Sequence, residues 1–172
     1  MKPDNLLRFL IFLVTPLIFI SGAFATIVVR MSVPQMAERA QLLVEGTVTE
    51  TKCRWDESHR YIITEAQVEI SRTLKGKAGV QTITVRTLGG EVDGVGLYVS
   101  GAPRFVNGEE TLLFLERHPV KDWRVVGLNQ GKFTLITEKN SGRKMAVSSA
   151  NGKVIPLETL ESQLLYRNGD AR

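Results

Sequence analysis

The chain has 172 residues, of which 43% are hydrophobic and 23% are charged, with a formal net charge of +4. These values fit one globular domain and exclude a disordered or low-complexity protein. Acidic and basic residues alternate along the sequence and only 7% of the residues are aromatic, which argues against a nucleic-acid-binding surface.

Residues 1–25 have the pattern of a signal peptide. Basic residues precede an apolar run that ends at Ile20, and a small-residue cleavage site ends at Ala25. Cleavage there makes Thr26 the first residue of a periplasmic or extracellular protein without a membrane partner. The competing interpretation is an uncleaved anchor, because the apolar run continues to Val29 and reaches the length of a membrane span.

Cys53 is the only cysteine, so the protein cannot form an intramolecular disulfide. No histidine or acidic motif of a thiol hydrolase accompanies it. Its place in an alternating stretch predicts a half-buried strand cysteine. Stability must therefore come from the packing of an apolar core.

A short helix is predicted over residues 32–40, at the end of a lead-in that covers residues 26–41. Apolar residues recur there at helical spacing, and Ser32 with Gln35 forms a capping box. The chain then changes to alternation of apolar and polar residues. This alternation predicts three antiparallel strands connected in order, over residues 42–53, 61–74 and 82–88.

The second half of the sequence completes the predicted fold. Residues 111–115 are so apolar that they must lie at the centre of the core, and a short helix is predicted after Pro156. Further strands are predicted over residues 123–127, 132–137 and 143–147. The fold class is therefore mainly β, a small closed antiparallel barrel of OB type over residues 42–147, with short helices at both ends and a tail within residues 148–172.

The stretch from residue 89 to residue 110, which we call the glycine-rich loop, is the candidate binding loop, since it contains six of the fifteen glycines. An irregular loop on a β scaffold is a common place for a binding surface. An exposed Arg104 is suited to engage a carboxylate on a partner, and a buried one to hold loop carbonyls together. The candidate binding residues are Arg54, Trp55, Gly89, Gly90, Glu91, Tyr98, Pro103, Arg104 and Phe105.

Motifs of catalysis or metal binding are missing from the sequence. His59 and His118 have no neighbours at metal-ligand spacing, and no nucleophile elbow or phosphate loop is present. Acidic residues at 91, 93, 109 and 110 are interpreted as solvated. We therefore predict no metal, no cofactor and no enzymatic activity. A hydrolase with an unrecognised site and an envelope-anchored structural protein are the alternatives.

Three pieces of the sequence resemble the opening strands of the barrel in tissue inhibitors of metalloproteinases and in netrin-like modules. They are Val44-x-Gly46-x-Val48, Val68-x-Ile70-x-x-x-Leu74-Lys75-Gly76 and Thr82-x-Thr84-Val85. The resemblance implies an oligonucleotide-binding-type fold. In the animal inhibitors an N-terminal cysteine chelates the catalytic zinc, whereas the expected first residue here is Thr26, so the inhibitory mechanism is not implied.

A second resemblance covers roughly residues 33 to 136. It is to a family of exported bacterial proteins of unassigned activity that often accompany secreted matrixin-type metallopeptidases, and it implies a peptidase of that type as the protein partner. The oligomeric state stays open. The motifs that carry this resemblance are Arg54-Trp55, Leu74-Lys75-Gly76, Gly89-Gly90-Glu91, Gly101-Ala102-Pro103-Arg104-Phe105, Gly108-Glu109, Leu112-Leu113-Phe114-Leu115 and Val125-Val126-Gly127-x-x-Gln130-Gly131-Lys132-Phe133.

Overall fold

The computed structural model describes residues 29–117 and 122–165. The predicted signal peptide, His118 and the tail from residue 166 onward lie outside the described residues. Among those that are described, no helix combines the length and hydrophobicity needed to cross a bilayer. The elements are helix α1 (Val33–Arg39), strands β1 (Leu42–Trp55), β2 (Ile62–Lys75), β3 (Thr82–Leu88), β4 (Gly90–Val92), β5 (Val95–Leu97), β6 (Glu110–Arg117), β7 (Trp123–Val125), β8 (Lys132–Thr137), β9 (Lys144–Ser148) and β10 (Val154–Pro156), and helix α2 (Leu157–Leu165).

Strands β1, β2, β3, β7 and β6 form a closed barrel. The antiparallel pairing of β1 with β2 and of β2 with β3 confirms the three predicted strands connected in order. The barrel closes where β1 pairs with β6, from Leu42 opposite Leu115 to Thr47 opposite Glu110.

The prediction of a purely antiparallel barrel is wrong. Strand β7 is antiparallel to β6 but parallel to β3, through a single bridge between Val85 and Trp123. A closed ring of five strands cannot reverse direction at every pairing, because five is an odd number. The barrel is therefore mixed, with its one parallel pairing between β3 and β7.

Strands β8, β9 and β10 extend the sheet beyond the barrel, through pairing of β8 with the first half of β6. Two of them correspond to predicted strands, and β10 was not predicted. Both predicted helices are confirmed. Helix α1 has the Ser32–Gln35 capping box, and α2 follows Pro156 and buries Leu157 and Leu160.

The core lies on both sides of β6. Leu113 and Leu115 point into the barrel, while Leu112 and Phe114 pack on the other face against the helices, β8 and β9. These four side chains are fully buried, as predicted, and burial of each stabilises the fold by about 1.5–3 kcal/mol. The helices thus cover the outer face of β6.

Candidate binding groove

The first half of the glycine-rich loop is a β-hairpin that lies on the surface of β1 and β2. Strands β4 and β5 meet at a turn where Asp93 and Gly94 both have positive φ, 51° and 78°. A Cβ added to Gly90 would lie 2.6 Å from Sγ of Cys53 and 2.8 Å from Oγ1 of Thr64. Only glycine permits this close contact, so Gly90 fixes the hairpin against the barrel.

The second half of the loop is fixed by a buried ion pair. Lys132 is 2% exposed and donates to Glu109, and its ammonium lies 5.4 Å from the ring centroid of Phe105. Glu109 also accepts a hydrogen bond from the backbone N–H of Val106 at 3.2 Å. The interpretation of Glu109 as a solvated acid is therefore wrong, because an ammonium buried at this position requires a charged partner.

A cavity of about 520 Å³ lies beside this loop, and we call it the loop cavity. Tyr98 and Arg104 stand at its rim, with the guanidinium 5.4 Å from the centroid of the tyrosine ring. Arg104 is exposed, so its side chain is accessible to a partner. Seven of the nine predicted binding residues line the loop cavity, namely Gly89, Gly90, Glu91, Tyr98, Pro103, Arg104 and Phe105.

A second cavity of about 460 Å³ lies between β3 and β7, and we call it the seam cavity. Its apolar walls include Ile63, Leu88, Val125 and Leu128, and two of the predicted binding residues, Arg54 and Pro103, also line it. The two cavities share five wall residues, so together they form one continuous depression, the seam groove. The shared residues are Thr87, Leu88, Val99, Ala102 and Pro103.

Charged side chains at the seam cavity form a connected network. Glu65 accepts hydrogen bonds from Arg54 at 2.7 Å and from Arg86 at 2.8 Å. These bonds, chiefly that from Arg54, hold the pKa of Glu65 below its ordinary value against the effect of burial. Arg86 also contacts Asp122 at 2.7 Å, as an ion pair without hydrogen-bond geometry. The network ties β1, β2 and β3 to the start of β7.

The connection between β1 and β2 forms the outer rim of the seam cavity. Asp56 accepts hydrogen bonds from the hydroxyl of Ser58 and from the backbone N–H groups of Tyr61 and Arg60, at 2.7 and 2.8 Å for the two backbone donors. These bonds hold the pKa of the Asp56 carboxyl well below its ordinary range. Trp55 stacks on the His59 ring at 6.5 Å between centroids and lines neither cavity.

Two features of the groove differ from the sequence prediction. Cys53 is exposed and lines the loop cavity, so the prediction of a half-buried cysteine is wrong. It lies where β1 has passed the end of its pairing with β6 and pairs only with β2. The seam cavity itself was not predicted. Its wall residues, such as Arg86, Arg124 and Leu128, belong to segments distant in sequence, and the cavity exists only because strands β3 and β7 diverge in the fold.

Within the described ranges, no three histidine, cysteine, aspartate or glutamate side chains are grouped to hold a metal ion. No protein-family model matches the chain, and no curated protein is significantly similar to it in sequence. The geometry of the groove is therefore the principal observation that bears on function.

Proposed function

We propose that the chain is an exported, non-enzymatic protein-binding module and that the seam groove is its binding surface. The continuity of the two cavities carries this proposal, since it provides an elongated site rather than an isolated pocket. Tyr61, Leu88, Tyr98 and Leu128 are 40–73% exposed and lie along it. Aromatic and apolar side chains beside arginines are the composition that binding hot spots favour.

The barrel is of OB type in this proposal. Counted in chain order, its five strands pair as first, second, third, fifth and fourth, and the fourth returns to the first. Such an order is a Greek-key connection of the kind that OB barrels use. The seam cavity lies at the β1–β2 connection and the ends of β2 and β3, which are surfaces that OB barrels commonly use for ligands.

The proposed partner is a secreted matrixin-type metallopeptidase. Two considerations support this class of partner: the signal-peptide pattern of residues 1–25, and the resemblance to exported proteins that accompany such peptidases. The contacts that hold Gly90 and Phe105 support a binding role in general, because a fixed surface loses little conformational entropy on binding.

The test is direct binding of the protein to a purified matrixin-type peptidase from the culture medium of the same organism, measured by biolayer interferometry. Replacement Arg104→Ala should weaken binding by about 30-fold, the effect of losing one hot-spot side chain. Arg143→Ala is the matched control, because Arg143 is exposed and lines neither cavity. Equal affinities of the two variants would remove the groove as the binding surface, and absence of binding would remove this class of partner.

A further inference from the structure

We propose that the seam groove binds by strand addition: an extended segment of the partner pairs with the free edge of β3 at residues 86–88. This inference rests on the proposed protein-binding function and names its mode. The segment carries an acidic residue next to a short apolar, β-branched stretch. The free backbone edges, the shape of the cavity and the distribution of charge support it in turn.

The backbone of β3 directs its hydrogen-bonding groups to alternate sides. Gly89 donates to the carbonyl of Ile62 at 2.8 Å, in the register that places Leu88 opposite Ile63. Alternation of an antiparallel ladder then directs the N–H and C=O of Thr87 toward β2 and those of Leu88 toward the opposite edge. On that edge the single bridge, centred on Val85, engages the C=O of Thr84 and the N–H of Arg86. Beyond it, no strand of the described chain pairs with the C=O of Arg86 or with Leu88.

Strand β7 has the complementary arrangement on the other side of the cavity. Val126 donates to the carbonyl of Phe114 at 2.9 Å, and Val125 lies opposite Leu115. The same alternation directs the N–H and C=O of Val125 away from β6, toward the cavity. Two backbone edges therefore face each other across a space that none of the described strands fills, and an added strand supplies main-chain partners for such edges.

The walls of the seam cavity fit an extended segment with apolar side chains. Ile63 and Val125 are buried beneath it, while Leu88 and Leu128 are 48% and 40% exposed at its sides. Alternate side chains of a strand point to opposite faces, so every second residue of the added segment packs on this apolar floor. At roughly 3.3 Å per residue, the free edge of β3 accommodates about three residues.

The charges at the two ends of the seam cavity determine which end of the partner segment carries the acidic residue. Arg124 and Arg39 both donate to Glu116, each at 2.8 Å, so two guanidinium groups share one carboxylate and leave a net positive charge at the β7 rim. Arg124 lines the cavity with about half of its side chain exposed. A carboxylate of the partner segment completes this cluster with a charge-assisted hydrogen bond. The rim formed by Asp56 and Glu57 is acidic and favours a basic residue at the other end.

The experiment begins with a nine-residue peptide selected from a random phage-displayed library on the wild-type protein. The selected sequences should contain β-branched residues beside an acidic one. A peptide in which single backbone amides are methylated, position by position, then tests the mode of binding. Strand addition predicts that methylation at every second position weakens binding by about tenfold, the effect of one lost hydrogen bond, with little effect at the positions between.

Two measurements on the protein complement the peptide scan. Bound peptide should slow amide hydrogen exchange at Leu88 and Val125. The change Leu88→Pro removes an N–H that points into the groove but no ladder bond to β2, and it should weaken binding by at least about tenfold, whereas Leu88→Ala keeps the N–H and should weaken binding only about threefold.

Each contrary result has a distinct meaning. A methylation scan without a two-residue period, or unchanged exchange at both amides, would overturn strand addition. Retained binding to the peptidase in that case would leave the proposed function intact. Failure to select any peptide, together with concentration-dependent dimerisation that Leu88→Pro prevents, would assign the edge to a second copy of this chain and overturn the proposed occupant.

Discussion

Two strand pairings join strands β1, β2 and β3 to strands β6 and β7, and they differ in the number of paired residues. We call the pairing of β1 with β6 the closed seam and the pairing of β3 with β7 the open seam. At the closed seam, six residues of β1 pair with β6, and leucines 112, 113 and 115 of β6 are fully buried. At the open seam, β3 and β7 share one bridge and enclose a cavity of about 460 Å³. Packing at the closed seam thus stabilises the fold, whereas backbone groups and apolar side chains at the open seam stay accessible from solvent.

The strands at the open seam separate because β7 follows β6 rather than β3. Val126 donates to Phe114 on β6, and the chain then turns at Gly127, whose φ is 64°. Strand β3 instead leads into Gly89 and Gly90, which turn the chain toward the hairpin on β1 and β2. The same barrel therefore has a fully paired side, where β1 meets β6, and a side with a cavity, where β3 and β7 diverge.

The largest expected difference between the seams is in the cost of shortening a leucine. Leu113→Ala should lower the free energy of unfolding by about 3 kcal/mol, because it opens a cavity in a fully buried site. Leu88→Ala should lower it by less than about 0.5 kcal/mol, since Leu88 is 48% exposed. Chemical denaturation measures both values, and similar losses would mean that the open seam is as important for stability as the closed one.

A second difference lies between the fixed wall of the groove and its surroundings. Glu109→Ala leaves the buried ammonium of Lys132 without its carboxylate and should destabilise the fold by about 3 kcal/mol. The adjacent Glu110 makes an exposed pair with Lys144 at 3.1 Å, so Glu110→Ala should cost less than about 1 kcal/mol. Denaturation curves of the two variants that coincide would show that the wall does not depend on the buried pair.

A smaller effect is expected from the hairpin that forms the other wall. Gly90→Ala should cost about 2 kcal/mol, because its φ is +132° and its Cβ would contact Cys53 and Thr64. Gly94 also has a positive φ, but no atom lies within 4 Å of a Cβ added there. The change Gly94→Ala should therefore cost about 1 kcal/mol. Thermal unfolding of both variants is the measurement. Equal losses would indicate that only backbone strain, and not the contact with the barrel, holds the hairpin.

The smallest expected effect is a pH response at the rim of the open seam. The pKa of Asp56 is lowered in the folded protein. The stability that the Asp56 carboxylate contributes is therefore fully present above its unfolded pKa of about 3.9, and it is lost as the pH falls from there through the lower pKa of the folded state. Protection of the Arg60 and Tyr61 amides from exchange should decrease over that range, whereas the closed seam should stay unchanged. Asp56→Asn should remove the pH dependence and Glu57→Gln should retain it. A response of Asp56→Asn like that of the wild type would identify another titrating group.

Local features of the sequence predicted the parts of the fold that local interactions determine. Alternation over residues 61–74 predicted the strand that the structure shows as β2, Ile62–Lys75, and the Ser32–Gln35 capping box predicted the start of α1. The hairpin of β4 and β5 also had a local signal, Asp93-Gly94, a pair typical of tight hairpin turns. Its strands have only three residues each, too few for a recognisable alternation.

The open seam could not be predicted because it depends on contacts between distant residues. Val85 and Trp123 meet only when the ring of five strands closes, and no local pattern encodes the direction of β7 relative to β3. The burial of Lys132 is similar, since lysine in a strand is ordinarily exposed. Its carboxylate partner lies 23 residues earlier in the chain. The predicted site residues therefore identified the loop cavity, whereas the seam cavity required the structure.

The closed seam also determines when this protein can fold. Leu42 pairs with Leu115, 73 positions later, so β1 can pair early with β2, but its other edge stays unpaired until β6 has been synthesised. At about 5–20 residues per second on the ribosome, this interval is on the order of several seconds. Closing a loop of that length costs roughly 4 kcal/mol of chain entropy before the leucines are buried. Closure of the barrel is thus a late step of folding, and until it occurs the nascent chain exposes the edge of β1 that β6 later covers.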